Sequence, residues 1–253
     1  MDGNLEGFPR RSGIFATQPN WLYKVKTPAG QGLAVGERYR LVIKRTDGQA
    51  DITAETTIPA DFVFTMPLQQ QSPPLINFLN GLPTTIAWRS DVNAVYFNGT
   101  FKIRYHEEAA NGTILGQKSI IWRAFTNQKN TGIVNNGLVA GKAEVLTNNL
   151  FQLLADSVPL KADPACNGCS RYFDLSDLIL EGGGKEIDQY LSTLSIASGI
   201  TSAETIPTYS NISEGYGIFT SKNTTTLHNI RIETKTVDAM NQNALTVGLK
   251  FSY

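Results

Sequence analysis

The clearest pattern of hydrophobic and polar positions lies between residues 84 and 124. Apolar side chains alternate with polar or charged ones over residues 101–106 and again over residues 118–124. A period of two is typical of β-strands with one buried face. The predicted buried face consists of Phe101, Ile103, Tyr105, Ile120, Trp122 and Ala124. Asn111-Gly112 lies between the two runs and tolerates positive φ, so we expect a long β-hairpin.

The same reasoning predicts further strands around this hairpin and one helix. Residues 84–88 form a strand that places Trp88 in the same core. Shorter runs predict additional strands at 21–25, 39–44, 51–58, 62–65, 172–180, 227–233 and 245–253. Residues 187–196 fit either a helix or a strand, and a strand is favoured for residues 190–197. Leucines at helical spacing predict a single helix over residues 142–157, followed by Pro159.

These elements predict a mostly β fold with Ig-like or fibronectin-like β-sandwich portions and one α-helix in the C-terminal half. Residues 68–74 contain three consecutive Gln and two Pro, a composition typical of a linker. We therefore divide the chain into an Ig-like portion over residues 1–67 and a larger β-rich domain over residues 75–253.

Composition narrows the function classes. The chain has 22 Lys and Arg against 22 Asp and Glu, whereas nucleic-acid binders normally carry a basic excess, so no nucleic-acid partner is predicted. No apolar run reaches the roughly 18 residues that a transmembrane helix needs. The first residues lack the basic start and apolar core of a secretion signal. We expect either a cytoplasmic protein or a numbering that begins after a removed leader.

Two cysteines, Cys166 and Cys169, form a CxxC pair. The pair supplies two of the about four ligands of a structural zinc site. It lies in a loop rich in Pro, Asp, Asn and Gly, whereas a thioredoxin-type motif opens a helix after a strand. A local disulfide or two unbonded thiols are therefore favoured over metal binding or redox catalysis.

No residue pattern amounts to a catalytic or cofactor signature, so we predict no enzyme, no cofactor and no metal site. Glu107 and Glu108 beside His106 have the side chains for acid–base chemistry. Charges at the end of a hairpin are normally solvated, however, and we favour that interpretation.

The predicted binding residues are aromatic and polar side chains of one loop. Tyr209 and Tyr216 flank a glycine-containing segment that includes Asn211, and Phe219 follows it. Exposed aromatic rings bind sugars by stacking, so residues 210–220 form a candidate binding or docking loop. The alternative is a tight turn that depends on glycine.

Several short segments resemble an uncharacterised Bacteroidota surface-lipoprotein family with a domain of unknown function. Residues 39–43 and 54–59 are similar to its "Tyr-x-Leu-x-Val … Ala-x-Thr-x-Val-Pro" hairpin, and residues 101–107 to its central strand. Residues 211–219 resemble its "Asn-Ile-x-x-Gly-x-Gly-Val-Phe" signature. Family members begin with a lipoprotein signal and an acylated cysteine, which this chain lacks, so we expect a truncated N-terminus or a diverged relative.

The resemblance implies a protein at the outer membrane or cell surface, often encoded near SusC-like TonB-dependent transporters. A lipid anchor is implied by the family alone. We therefore expect a non-enzymatic cell-envelope protein that binds a glycan, a peptide or an outer-membrane partner such as that transporter. The alternative is a structural or accessory subunit of an outer-membrane or surface assembly, with residues 245–253 as an unpaired strand.

Overall fold

The computed structural model describes residues 2, 5–6, 22–24, 26–28, 31–130, 132, 134–160, 169–197 and 209–253. The chain divides into two compact units, Met1–Ala34 and Val35–Tyr253. In the first unit residues 22–24 form no strand, so the predicted strand is wrong there. Trp21 and Val25 lie outside the described residues. All elements named below belong to the second unit.

The second unit is mostly β, as predicted. Its strands are β1 Arg38–Ile43, β2 Ile52–Thr57, β3 Val63–Met66, β4 Leu75–Ile76, β5 Pro83–Asp91, β6 Tyr96–Glu108, β7 Ile114–Lys129, β8 Val134–Asn135, β9 Leu138–Leu146, β10 Ser170–Gly183 and β11 Lys222–Ile232. Its helices are α1 Thr147–Ser157, α2 Lys185–Ala197, α3 Thr234–Asn241 and a short 3₁₀ turn Val247–Leu249.

The described strands form three sheets. The largest has the order β4-β11-β10-β6-β7, the second β3-β5-β9-β8, and the third is the hairpin β1-β2. Neighbouring strands run antiparallel except for β4 and β11, which are parallel.

The predicted central hairpin is confirmed as β6 and β7, and every second residue of β6 is buried. Its inward rings meet those of the second sheet. Trp88 of β5 lies 4.9 Å from Phe97 and 5.6 Å from Phe125, measured between ring centroids. Phe78 packs edge-on against Phe101 at 5.8 Å. The two larger sheets thus share one aromatic core in a β-sandwich-like arrangement, while the Ig-like assignment stays a prediction.

The proposed linker at residues 68–74 lies inside this unit. β3, which precedes it, pairs with β5, which follows it. Phe62 also packs edge-on against Phe97 at 5.4 Å. These contacts join the residues on both sides of the segment into one core.

The helix prediction is correct for α1 but wrong for residues 142–146. These residues belong to β9, which pairs with β5 and buries alternate side chains from Val139 to Val145. The helical stripe of Leu150, Phe151 and Leu154 begins only after that strand.

Two further helices contradict the prediction of a single helix. The strand predicted at 190–197 lies in α2, where Ile187, Tyr190 and Leu191 follow the i, i+3, i+4 spacing of one helical face. Glu186 and Asp188 lie in its first turn, where negative charge is stabilising. The third helix, α3, follows β11 directly.

The strand predicted at residues 245–253 is also wrong. Val247–Leu249 form a 3₁₀ turn and Lys250 adopts a left-handed φ of 56°. A single bridge joins Phe251 to Arg171, and Leu249 and Phe251 are buried. Burial of these two side chains therefore holds the segment against the sheet.

A buried ion pair fixes this segment. Arg171, 4% exposed, donates from Nε to Glu107 Oε1 at 3.0 Å and from Nη1 to the Leu249 carbonyl at 2.7 Å. Its Nη2 donates to the Pro159 carbonyl at 2.9 Å. Lys118 Nζ reaches the second carboxylate oxygen at 2.9 Å. One carboxylate and one guanidinium thus join β6, β10, the end of α1 and the C-terminal segment.

The acidity of Glu107 follows from these partners. Burial raises the pKa of its carboxyl, but the hydrogen bonds and charges of Lys118 and Arg171 outweigh burial and hold that pKa below its ordinary value. Its contribution to stability is therefore present above the unfolded-state pKa and is lost as pH falls through the folded-state pKa.

We predict that Glu107→Gln lowers the free energy of unfolding by about 3–5 kcal/mol, because Arg171 remains buried without a counter-charge. Urea denaturation measures this. Glu144→Gln, which removes an exposed partner of Lys142, is the matched control and should cost less than about 1 kcal/mol. Wild type should also lose more stability on acidification than Glu107→Gln. Equal losses of unfolding free energy in Glu107→Gln and Glu144→Gln would contradict the role of the buried pair.

Candidate functional site

The loop that contains the predicted binding residues lies along the outer edge of β2. Ser213 N donates to the Thr53 carbonyl at 2.9 Å, and Thr53 N donates back to Ser213 Oγ at 2.9 Å. Asn211 Nδ2 donates to the Glu55 carbonyl at 3.2 Å. Because β1 occupies the other side of β2, the loop satisfies backbone groups that would otherwise form an open strand edge.

Asn211 holds the loop closed. Its Nδ2 donates to the Phe219 carbonyl at 2.7 Å, and its Oδ1 accepts from Phe219 N at 2.8 Å. Ser210 Oγ donates to the Gly215 carbonyl at 2.9 Å. The amide of Asn211 therefore serves the loop itself, and its predicted contact with a ligand stays a prediction.

The aromatic residues of the loop differ in exposure. Tyr209 and Phe219 are half-buried, whereas Tyr216 is 91% exposed. Gly217 follows Tyr216 with φ at +141°, a conformation that favours glycine. Glycine suits this position of the loop, and the Tyr216 ring beside it lies in solvent.

A hydroxyl network around Glu186 lies beside the base of the loop. Glu186 opens α2, is 5% exposed, and accepts hydrogen bonds from Thr56 Oγ1 at 3.2 Å and Thr220 Oγ1 at 3.4 Å. Thr56 Oγ1 also lies 3.0 Å from Ser221 Oγ, which donates to the Thr57 carbonyl at 2.7 Å. The network connects β2, α2 and the start of β11.

The carboxylate of Glu186 also affects the pKa of Tyr209. Burial raises the pKa of its phenol, and the nearby charge of Glu186 raises it further. Both effects favour the neutral phenol.

A cleft of about 370 Å³ lies next to this network, at the end of β10. We call it the α2 cleft; its lining residues are Tyr96, Asn98, Glu181, Gly182, Gly183, Ile187, Thr220, Ser221 and Lys222. A Cβ on Gly183 would lie 2.9 Å from Ile187 Cγ2 and 3.5 Å from Tyr96 Cδ1. The missing side chain therefore allows Ile187 and Tyr96 to approach the backbone of Gly183 closely.

The polar groups of the α2 cleft are held in place by neighbours. The Tyr96 hydroxyl donates to Asn127 Oδ1, and Asn127 N donates to Asn98 Oδ1 at 3.0 Å. Asn127 itself adopts a left-handed φ of 57°. At the rim, Lys222 forms an ion pair with Glu181. A ring, an aliphatic wall, an amide, hydroxyls and an ion pair can together hold a ligand through stacking and hydrogen bonds.

The sequence trio at residues 106–108 is divided between two faces of β6. Glu107 is buried with Arg171, so the expectation of a solvated charge is wrong for this residue. His106 faces outward and its Nδ1 lies 2.8 Å from Asp174 Oδ1, while Glu108 Oε2 lies 3.8 Å from His106 Nε2. The structure therefore separates Glu107 from the other two side chains.

Cys169 is buried and disulfide-bonded, whereas Cys166 lies outside the described residues. Across the part of the chain that the structure describes, no group of three or more His, Cys, Asp or Glu side chains is arranged to hold a metal ion. None of the helices in that part combines the length and apolar character that crossing a membrane requires.

Sequence reasoning missed the principal residues of the α2 cleft. Tyr96, Ile187 and Lys222 belong to three elements that meet only in the folded chain. The nearest distinctive feature of the sequence is the glycine triplet at residues 182–184, and glycines alone do not indicate which distant residues surround them.

Comparison with known proteins adds no relative: no family model, curated protein or solved structure matches the chain.

We predict that Asn211→Ala detaches the loop from β2. At about 1 kcal/mol of net stability per hydrogen bond, loss of three bonds should cost about 2–3 kcal/mol. Hydrogen exchange of the Thr53 and Phe219 amides should also become faster than in wild type. Tyr216→Ala, in the same loop but exposed, should leave both measurements unchanged; unaltered exchange in Asn211→Ala would contradict this role.

Proposed function

We propose that the protein is a non-enzymatic binding protein of the cell envelope and that the α2 cleft holds its ligand, a glycan. The observation that carries the proposal is that the Tyr96 ring and the Ile187 side chain line the same cleft beside the backbone of Gly183. An aromatic surface flanked by fixed hydrogen-bonding groups suits the apolar face and hydroxyls of a sugar.

The backbone around the cleft favours a glycan over an extended peptide. Gly182 and Gly183 already pair with β6 on one side and with β11 on the other. Their backbone therefore offers no strand edge to which a peptide could add. A ligand at this position must be bound through side chains, as sugars commonly are.

The cell-envelope location and an outer-membrane partner rest on the family resemblance. The loop at residues 210–220 supports such a partner, because hydrogen bonds anchor its base and the exposed Tyr216 ring is available for an aromatic contact. In this proposal a SusC-like transporter is the partner and a lipid anchor holds the protein at the membrane.

Calorimetry with neutral hexasaccharides of glucose, xylose and mannose tests the glycan proposal. Wild type should bind at least one of them, and Tyr96→Ala should weaken that binding at least tenfold because the ring is lost. Tyr96→Phe keeps the ring and loses only the bond to Asn127, so its affinity should stay within about threefold, well under the tenfold that 1.4 kcal/mol represents. Unchanged binding by Tyr96→Ala, or binding of hexapeptides instead of glycans, would refute the proposal.

A second candidate function, as an accessory subunit of a surface assembly, is favoured by β7. This strand of 16 residues is outermost in its sheet, and among the described residues no strand pairs with its other side. Ile114 and Leu115 near its start are 60% and 43% exposed. An exposed strand edge can be extended by a strand of another protein.

Purification from native membranes tests this alternative. A subunit should co-purify with a stoichiometric partner, and the double variant Ile114→Lys, Leu115→Lys should release that partner because charges block strand addition. Leu175→Lys, also an exposed leucine but on β10, is the control and should retain the partner. A chain that purifies alone would rule the alternative out.

A further inference from the structure

A second cleft lies at the opposite end of β10 from the α2 cleft. Its volume is about 410 Å³, and it lies between the first residues of β10, the end of β11 and the first turn of α3. We call it the β10–β11 cleft. Its lining includes Tyr172, Phe173, Arg231, Thr234, Val237 and Ser252.

The cleft exists because β10 and β11 separate. Their pairing runs from Gly183 and Lys222 only as far as Ser176 and Ile230, with an irregularity just before that point. Nearer its start, β10 instead bridges to the C-terminal segment, through Arg171 and Phe251. A bulge that ends strand pairing opens space between the strands.

One wall of the cleft is a ring that is held in place. The ring of Tyr172 stacks on His106 with centroids 5.4 Å apart and planes 21° apart. His106 is in turn fixed by Asp174, whose Oδ1 lies 2.8 Å from Nδ1 of the imidazole. The orientation of Tyr172 is therefore set before any ligand arrives.

The opposite wall carries a positive charge. Arg231 is exposed, and its guanidinium has no ion pair or hydrogen bond with any described residue. Glu233 also lines the cleft, and its carboxylate accepts a hydrogen bond from Asn77 Nδ2. Because Glu233 forms no ion pair with Arg231 in the described structure, the guanidinium is available to an anionic ligand.

Hydroxyl and apolar groups complete the lining. Within the described part of the chain, neither the Thr234 nor the Ser252 hydroxyl has a hydrogen-bond partner. Phe173 and Val237 add apolar surface. The cleft thus combines a guanidinium, hydroxyls, a fixed ring and apolar contacts.

We propose that the β10–β11 cleft binds a hydroxylated carboxylate of the uronic-acid class. Arg231 pairs with the carboxylate, for which the two-pronged guanidinium is the best-matched side chain. Thr234 and Ser252 bond to sugar hydroxyls, while Tyr172 contacts the ring carbons. This inference concerns a cavity and a charge class different from those of the proposed function.

Titration calorimetry with a trimer of galacturonate tests the proposal, with the neutral trimer of galactose and triglutamate as comparison probes. Wild type should bind trigalacturonate at least tenfold more tightly than either comparison probe. Arg231→Gln should lower that affinity at least tenfold. Lys235→Gln removes an equal charge from an exposed position on α3 that does not line the cleft, and it should bind within twofold of wild type.

The possible failures can be told apart. Equal weakening by Lys235→Gln would show a general effect of net charge and overturn the proposal. So would triglutamate binding as tightly as trigalacturonate, which would indicate an acidic-peptide site, or the absence of trigalacturonate binding. Tyr96→Ala should leave trigalacturonate binding unchanged, so failure of the glycan proposal at the α2 cleft does not affect this test.

Discussion

Burial of one face of β6 is the constraint on which the other elements depend. Its inward residues Phe97, Phe101 and Ile103 are almost completely buried, and each large side chain contributes about 1.5–3 kcal/mol when removed from water. This face must therefore be covered along its whole length. The second sheet covers one part through Trp88, and other segments of the chain, including Phe78, cover the remainder.

Buried polar groups attach the irregular segments to this sandwich. Glu107 and Arg171 hold the C-terminal segment, and Glu186 with its hydroxyl donors joins α2 to β2. Removing one member of such a network leaves its partner buried without its hydrogen bond, which is costly, so these networks tolerate little change. The same networks determine where the non-strand segments lie, and consequently what surrounds the clefts.

Both clefts lie where the regular pairing of β10 ends. At one end Gly183 lets Tyr96 and Ile187 approach the backbone, and at the other end the bulge separates β10 from β11. Regular sheet interiors leave no room for a ligand because side chains fill them to high density. The residues of β10 between these two ends line neither cleft, but they connect the two sites within one sheet.

The sequence by itself determined the β-hairpin, its buried face, the position of Trp88 in the core and the presence of a helix near α1. These features depend on alternation between neighbouring residues, which is a local property of the chain. Tertiary structure alone decided where β9 ends and α1 begins, that residues 190–197 are helical, and that residues 245–253 pack without forming a strand. It also decided the sites: Asn211 bonds to a carbonyl 156 residues away, and Thr56 to Glu186 across 130 residues. A periodic pattern shows that a face must be buried but not which distant segment covers it, because that choice depends on packing and pairing over the whole chain.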